Sequence, residues 1–397
     1  MGILQRVAKI VFACVHLILL SGCWDRTEVN DLALIVGLGI DQTKNGEIRL
    51  TVEIVVPKSA GGGGQMMGGG GAGGGETIIR SGTGVTVADA ISNLQEKLSR
   101  RVFWGHTKVI VFGEKAAKAG IRQHLDFLSR NPEVRLRSNV LVSEGTAKSV
   151  LELVPPIEQS SSEVLRELSE SQLLLRVTVK DVLQMLSGDA GAAALPMVKI
   201  KPPEEGKKEL QPIAFIQRTA IFKEDKMIGD IDDQLTRGVL WLRNEIKEAN
   251  ITIKPKGEKG NITATLIRAH TELIPKYEKG KWKMIVKATA EDDIILNGTK
   301  LDLLNPKYTK MIEKELAKET NKRIRNTLKK VQKEMKADIF GFADTFHRKY
   351  PREWNRVKER WEEIFPDVEV VVKTKVYVRR PGIDTAPQGL PEQEVKK

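Results

Sequence analysis

Apolar and polar positions divide the chain into a short apolar start and a long body in which helix and strand periods alternate. The start is one apolar run from Val11 to Leu20, preceded by Arg6 and Lys9. A basic segment, an apolar core of about ten residues and small residues before a cut are typical of a secretory signal. The run is too short for a membrane span, because a helix needs roughly 20 apolar residues to cross a bilayer.

The first half of the body alternates strands with helices. Residues 32–39 and 48–56 read as two strands around Asn45-Gly46, which supplies the positive φ that a tight hairpin needs. Apolar spacing then predicts strands at 76–81, 107–112, 134–142 and 196–203, and helices at 86–100, 114–129, 145–153, 161–175 and 179–186. Residues 76–143 are therefore expected to fold as β-α-β-α-β.

The second half begins after a composition shift at residues 202–209, which is the expected linker. Strands are predicted at 212–222, 250–255, 261–275, 281–290 and 368–379, a turn at 223–227, and helices at 231–245, 305–340 and 352–365. The helix at 305–340 would be about 50 Å long at 1.5 Å per residue. The expected fold class is α+β, with two or three domains whose mixed or antiparallel sheets are flanked by helices.

The predicted domains are a signal at 1–22, an N-terminal α+β domain at 23–201, a C-terminal α+β domain at 210–382 and a disordered tail at 383–397. An insert at 58–75 interrupts the first domain, and residues 61–75 of it contain eleven glycines. Such a segment buries too little to offset its chain entropy, so a flexible loop is expected. A phosphate-binding loop is the poorer interpretation, because no Gly-Lys-Ser/Thr follows.

The signal ends in Leu20, Ser21 and Gly22, directly before Cys23. In bacterial lipoproteins a Cys at this place is alkylated by diacylglycerol and becomes the first residue of the mature chain. At about 0.8 kcal/mol per buried CH₂, two acyl chains hold a soluble domain firmly on a membrane. The alternative is an ordinary signal peptide in which Cys23 is incidental.

Composition fits a soluble body held at a membrane. Of the 397 residues, 41% are hydrophobic and 29% are charged, as in globular proteins. The other cysteine, Cys14, leaves with the signal, so neither a disulfide nor Cys-metal chemistry is expected. The net charge of +12 favours an anionic bilayer surface, and export argues against nucleic acid as a partner.

The chain carries no recognisable catalytic motif, and no cofactor or metal is predicted. Four histidines of the body, His106, His124, His270 and His347, are far apart in sequence and read as structural. The acidic residues 291–293 follow a predicted strand, where a solvated loop is the simpler interpretation and a cation site the alternative.

A basic stripe follows the long predicted helix. Its members, Lys310, Lys314, Lys318, Lys322, Arg325 and Lys329, are spaced three or four residues apart along one face. The simplest interpretation is the solvated face of an amphipathic helix. The alternative is a contact with acidic lipid headgroups or with an acidic partner.

Motifs along most of the chain, roughly residues 20–382, resemble the Ger(x)C family, the lipoprotein C subunits of nutrient germinant receptors in endospore-forming bacteria. The segments that carry the resemblance are 20–33, 37–41, Arg101 to His106, 120–135, 220–229, 236–241 and Trp354 to Pro366. Within them, Cys23-Trp24-Asp25 and the Glu at 28 form the most specific element. The glycine-rich insert departs from the family pattern.

The resemblance implies a non-enzymatic subunit that is needed for receptor assembly and function. Its partners would be an A subunit with soluble and membrane-spanning parts and a polytopic B subunit like an amino-acid transporter. The complex would lie in the spore inner membrane, with this lipid-anchored chain on the outer face. A solute-binding lipoprotein is the alternative, although the antiparallel strands at 250–290 and the helix at 305–340 argue against two β/α lobes. An exported hydrolase lacks a nucleophile–base pair.

Overall fold

The structure of the protein is a computed structural model that describes residues 28–56, 77–155, 157–171, 174–202, 212–382 and 391–396, with 2–3, 5–9 and 12 near the start. The predicted glycine-rich insert lies outside these residues, as do nearly all of the predicted linker and residues 383–390 of the predicted tail. The division into domains therefore stays a prediction.

Two sheets organise the described residues. The first contains β1 Leu32–Gln42, β2 Ile48–Val55, β3 Thr77–Gly84, β4 Arg101–Phe103, β5 Val109–Gly113, β6 Asn139–Ser143, β7 Ala192–Lys201, β8 Ile213–Lys223 and β9 Lys226–Ile231. The second contains β10 Asn250–Ile253, β11 Ile262–Glu278, β12 Lys281–Asn297 and β13 Glu369–Arg380. The α-helices of the described residues are α1 Val87–Gln95, α2 Glu114–Ala119, α3 Arg122–Arg130, α4 Ala147–Leu151, α5 Ser161–Glu170, α6 Val179–Ser187, α7 Asp233–Leu242, α8 Pro306–Thr327, α9 Phe342–Lys349, α10 Pro351–Trp354 and α11 Trp361–Ile364. The predicted α+β class is confirmed.

The first sheet is mixed, in the order β3-β2-β1-β5-β6-β7-β8-β9, with β4 beside β1. Its centre, from β1 to β7, is parallel, and its two flanks are antiparallel. Parallel strands are usually covered on both faces, and β5 and β6 are buried at every position. Helices α1, α3 and α6 pack on one face, and α4 and α5 pack on the other.

Strands β8 and β9 follow the predicted linker in sequence but belong to the first sheet. β8 pairs with β7, and β9 pairs with β8 through a tight turn at Glu224 and Asp225. The short strand β9 was not predicted from the sequence. Segments on both sides of the linker therefore build one sheet.

The single helix predicted at 114–129 is wrong, because the chain forms α2 and α3 there. Gly120 between them has a φ of 129°, which side-chain-bearing residues rarely adopt. The Ile121 N–H donates to the Asp225 carbonyl at 2.9 Å, and the Arg122 N–H donates to the Asp225 carboxylate at 3.2 Å. The break thus attaches the start of α3 to the β8–β9 turn.

The second sheet has the order β10-β11-β12-β13 and carries α8 on one face. Ile312, Leu316 and Ile324 of α8 share a core with the even-numbered residues of β12 from Trp282 to Ala290. The odd-numbered residues of β12 project from the other face. Of its two neighbours, β11 pairs antiparallel and β13 pairs parallel.

The predicted long helix of the second half is confirmed, with a different end. It starts at Asn305, whose side chain accepts from the Lys307 N–H, and continues from α8 into a π-helix at Leu328–Met335. It stops before Phe340, the predicted end, because Lys336 is left-handed, with φ 54°. The described helix is about 40 Å long.

Candidate functional site

The predicted lipid-attachment segment lies outside the described residues. Leu20, Ser21, Gly22 and Cys23 are all in the stretch 13–27, and the description resumes at Glu28. A 3₁₀ turn at Val29–Asp31 then leads directly into β1. Among the described residues, no helix is both long and apolar enough to cross a membrane.

The chain enters the first sheet at the edge where its parallel strands begin. Because β1, β5, β6 and β7 are parallel, their first residues, including Leu32 and Ala192, lie at the same edge. Lys223, at the end of antiparallel β8, pairs with Ala192 there. Lys336 lines a small crevice with Ala192 and Lys223. The long helix of the second half therefore ends beside the sheet edge at which β1 begins.

The predicted basic stripe forms a continuous row on the long helix, which we call the basic ridge. Its members are Lys307, Lys310, Lys314, Lys318, Lys322, Arg325, Lys329, Lys333 and Lys336, and all nine are exposed. Between Pro306 and Lys336 only one exposed residue, Glu334, is acidic, and none is apolar. The exposed face of this helix therefore carries charge of nearly one sign.

Most of the acidic residues of the same helix lie at the sides of the ridge and are half-buried. Glu315 is 3.7 Å from Lys318, and Glu319 is 3.9 Å from Lys322. Glu313 turns inward and accepts from the Val378 N–H at 3.0 Å. Lys307, Lys310, Lys314, Arg325, Lys329 and Lys336 have no side-chain hydrogen bond or ion pair to any described residue. Six of the nine cations of the basic ridge thus have no anionic partner among the described residues.

Helix electrostatics do not account for the basic ridge. The N-terminal end of a helix carries partial positive charge, so cations are favoured in the last turn and disfavoured in the first. Lys307 and Lys310 nevertheless lie in the first turns, where α8 has no acidic residue. A solvated helix usually mixes both charge signs along its exposed face. The arrangement is suited instead to contact with an extended anionic surface.

The acidic residues 291–293 were predicted in a loop, and that prediction is wrong. They lie within β12, where Glu291 pairs with Arg379 at 2.7 Å and Asp293 is 3.8 Å from Arg380. The Asp292 side chain points into the core, and neither carboxylate oxygen has a partner among the described residues. Burial, with the neighbouring Asp293 charge, raises the pKa of Asp292 to about 7. No group of acidic, His or Cys side chains in the described part is arranged to hold a metal ion.

The four histidines of the body lie on separate parts of the described structure. His124 is buried beside Phe112, and that burial lowers its pKa. His347 bonds Asp189 at 2.6 Å and stacks on Trp354. His106 is exposed in the turn between β4 and β5, and His270 is exposed on β11. The structure brings none of the four together.

A cleft of about 610 Å³ opens at the end of β1, lined by residues that include Asp41, Lys44, Arg49 and Lys115. Its buried anionic group is already engaged, because Asp41 accepts from the Ala147 N–H at 2.7 Å and the Lys148 N–H at 3.0 Å. Asp41 therefore holds the start of α4 against β1. These two hydrogen bonds give the buried Asp41 carboxylate a structural role.

Two glycines of the family-like segments occupy close-packed positions. A Cβ on Gly37 would lie 1.9 Å from Ser162 Oγ, so β1 and α5 approach closely there. A Cβ on Gly238 would lie 2.0 Å from Thr327 Oγ1, at the crossing of α7 and α8. These glycines permit contacts that a methyl group would block.

A buried carboxylate that sequence reasoning missed organises the end of the long helix. Asp338 accepts from the N–H groups of Phe340, Phe342 and Ala343, at 3.3, 3.2 and 2.7 Å, and from Trp361 Nε1 at 3.0 Å. Burial raises its pKa to about 6 against these four donors, which lower it. The family-like residue Trp361 is thus fixed in place, with its ring 4.9 Å from that of Trp354.

Comparisons with known proteins match both halves of the chain. A family model described as the spore germination protein N-terminal domain matches residues 25–200, and one described as spore germination B3/GerAC like, C-terminal, matches residues 217–382. The spore germination protein KC of Bacillus subtilis (strain 168) is 31% identical over 394 residues, covering 95% of this chain and 96% of that protein. The spore germination protein B3 of the same organism is 24% identical, with 89% and 92% covered.

One solved structure shares the fold. The crystal structure of the GerBC protein aligns with a TM-score of 0.57 at 21% identity, covering 87% of this chain and 97% of that one. At this identity the likeness bears on the fold alone.

Proposed function

The chain belongs to the Ger(x)C family of spore germination proteins, and on that premise we propose that it is a lipid-anchored, non-enzymatic subunit of a nutrient germinant receptor in the spore inner membrane. The observation that carries this proposal is the match of both family domains, over residues 25–200 and 217–382. Family membership supports a role in spore germination, and we extend this role to a lipid anchor, a receptor complex and the spore inner membrane.

The anchor is proposed at Cys23. Leu20, Ser21 and Gly22 precede it after an apolar run of signal length. Cys23 is five residues before Glu28, so the chain between them reaches at most about 18 Å. Two acyl chains on Cys23 would therefore hold the first sheet close to the headgroups.

The proposed partners are the A and B membrane subunits of the same receptor. The role of this chain would be positional, in that the anchor fixes the body on the outer face of the membrane and its surfaces bind the other subunits. Support comes from spore germination relatives that match over nearly their full length.

The anchor is tested with Cys23→Ala, and Cys14→Ala is the matched control within the signal. We expect the Cys23 variant to lack the diacylglycerol mass on its N-terminal peptide, to leave the membrane fraction and to lose most of the nutrient response of spores. The Cys14 variant should behave as the wild type. Normal membrane retention and germination of the Cys23 variant would contradict the proposal.

A further inference from the structure

We propose that the basic ridge lies on the anionic headgroups of the membrane to which the chain is anchored, as a second point of attachment. This inference rests on the proposed lipid anchor and extends it. The ridge has the length and charge of a surface contact, with nine exposed cations along a helix of about 40 Å. Each well-placed Lys or Arg near an anionic bilayer strengthens binding roughly fivefold.

The composition of the ridge favours lipid over an acidic protein. Eight of its nine cations are lysines, and no exposed apolar or aromatic residue lies between Pro306 and Lys336. Protein–protein interfaces are depleted in Lys, and their binding energy centres on buried Trp, Tyr and Arg. Lysine carries a hydrated point charge on a flexible stem, so it can follow headgroup phosphates that change position. The rigid guanidinium fork of arginine is better suited to a carboxylate that is held in one place.

The placement of the ridge also fits a membrane. Its last residue, Lys336, lies in a crevice with Ala192 and Lys223, at the sheet edge where β1 begins. Leu32 is three strands from β7, which is roughly 15 Å at the usual strand spacing. With about 18 Å of chain between Cys23 and Glu28, the anchor and the near end of the ridge reach the same bilayer surface. Two linked attachments reinforce each other through effective concentration.

The test places an environment-sensitive fluorophore on the ridge of the full chain. Lys318→Cys labels the ridge, and Lys373→Cys labels an exposed position on the opposite face of the second sheet. Because Cys14 and Cys23 are the only natural cysteines, the unmodified chain gives the labelling background. The lipidated protein is reconstituted into vesicles of zwitterionic lipid alone or with 30% anionic lipid, each carrying a headgroup nitroxide quencher.

We expect the ridge label to be quenched at least threefold more strongly than the Lys373 label in anionic vesicles, and equally in zwitterionic ones. A variant that replaces Lys310, Lys314, Arg325 and Lys329 with Gln should lose this difference. A matched variant with Gln in place of Lys254, Lys276, Lys281 and Lys375, which also have no ion pair among the described residues, should keep it. Thermal unfolding checks that both variants are folded.

Flotation separates the two proposals. Protein that floats with zwitterionic vesicles has a working anchor, and equal quenching of both labels in anionic vesicles would then overturn the ridge contact and leave an acidic protein as its occupant. Protein that floats only with anionic vesicles would contradict the anchor and support the ridge, provided that the ridge label is quenched. Protein that floats with neither would overturn both.

Discussion

At the residue scale, Asp292 loses its hydration by burial, whereas its neighbours Glu291 and Asp293 stay partly exposed. Glu291 and Asp293 project from the open face of the second sheet toward Arg379 and Arg380. Asp292 is 1% exposed and points toward the core. The strand residues paired with it, Leu266 and Val378, bring no charge, and the nearby Glu313 of α8 bonds the Val378 N–H. The ionised form of Asp292 therefore has no partner to offset its loss of water.

This burial predicts that Asp292→Asn stabilises the protein at alkaline pH. The pKa of Asp292 is about 7 in the fold, against 3.8 for the free group. Its contribution is therefore favourable below pH 4 and is lost as pH rises through 7. Asn has nearly the same shape and never ionises, so we expect a gain of about 1–3 kcal/mol at pH 8 that shrinks toward pH 5.

Thermal unfolding of wild type and variant between pH 5 and 8 measures this gain. Glu291→Gln is the control, because Glu291 lies on the other face and Arg379 lowers its pKa. That change should give no gain at pH 8. An Asp292→Asn protein that is less stable than wild type at pH 8 would show that the carboxylate is stabilised by a partner.

Residue-level features were only partly predictable from the sequence. The exposure of the lysine row follows directly from the helical period, and the structure shows it. The strand through residues 291–293 was missed because three consecutive acids obscure an alternation that is clear from Trp282 to Ala290. Asp338 gave no signal, because Trp361, one of its donors, is 23 residues away.

At the element scale, α7 approaches the long helix so closely that the crossing has no room for one more side-chain carbon. The Thr327 hydroxyl donates to the Leu235 carbonyl at 2.9 Å, and a Cβ on Gly238 would be 2.8 Å from Thr327 Cβ and 3.0 Å from the Arg323 carbonyl. These neighbours are backbone or short side chains, so they have little room to move. Gly238 therefore sets the distance between the two helices.

We predict that Gly238→Ala destabilises the protein by about 1–3 kcal/mol, the usual cost of overpacking. This cost would exceed the gain of up to about 1 kcal/mol that Ala brings to an unconstrained helix position. Gln234→Ala, at an exposed position of the same helix, is the control and should change little. Denaturant unfolding compares the variants, and a Gly238→Ala protein at least as stable as wild type would disprove the close contact.

Element types were easier to predict than element ends. The long helix was recognised from its apolar stripe, but its end is set by left-handed Lys336. Asp338 then accepts from the Phe342 and Ala343 N–H groups at the start of α9. The break at Gly120 depends on Asp225, about a hundred residues later. That break is fixed by a contact distant in sequence, which no local pattern contains.

At the scale of the whole molecule, the first sheet combines segments from both sides of the predicted linker. The sequence identified most of the strands but not their neighbours, because pairing of β7 with β8 and of β1 with β5 is not local. The same topology brings the start of β1 and the end of the basic ridge to one edge. A protein attached at that edge would present the ridge and the anchor to the same surface.

Affinity purification of this chain from detergent-solubilised spore membranes, with the intact mass of its N-terminal peptide, tests the lipid anchor and the receptor complex together. We expect a diacylglycerol-modified Cys23 on a protein that co-purifies with two membrane subunits. The Cys23→Ala chain, handled in the same way, should recover neither. A wild-type chain that comes out alone, or with an unmodified N-terminal peptide, would contradict the proposal of a lipid-anchored receptor subunit.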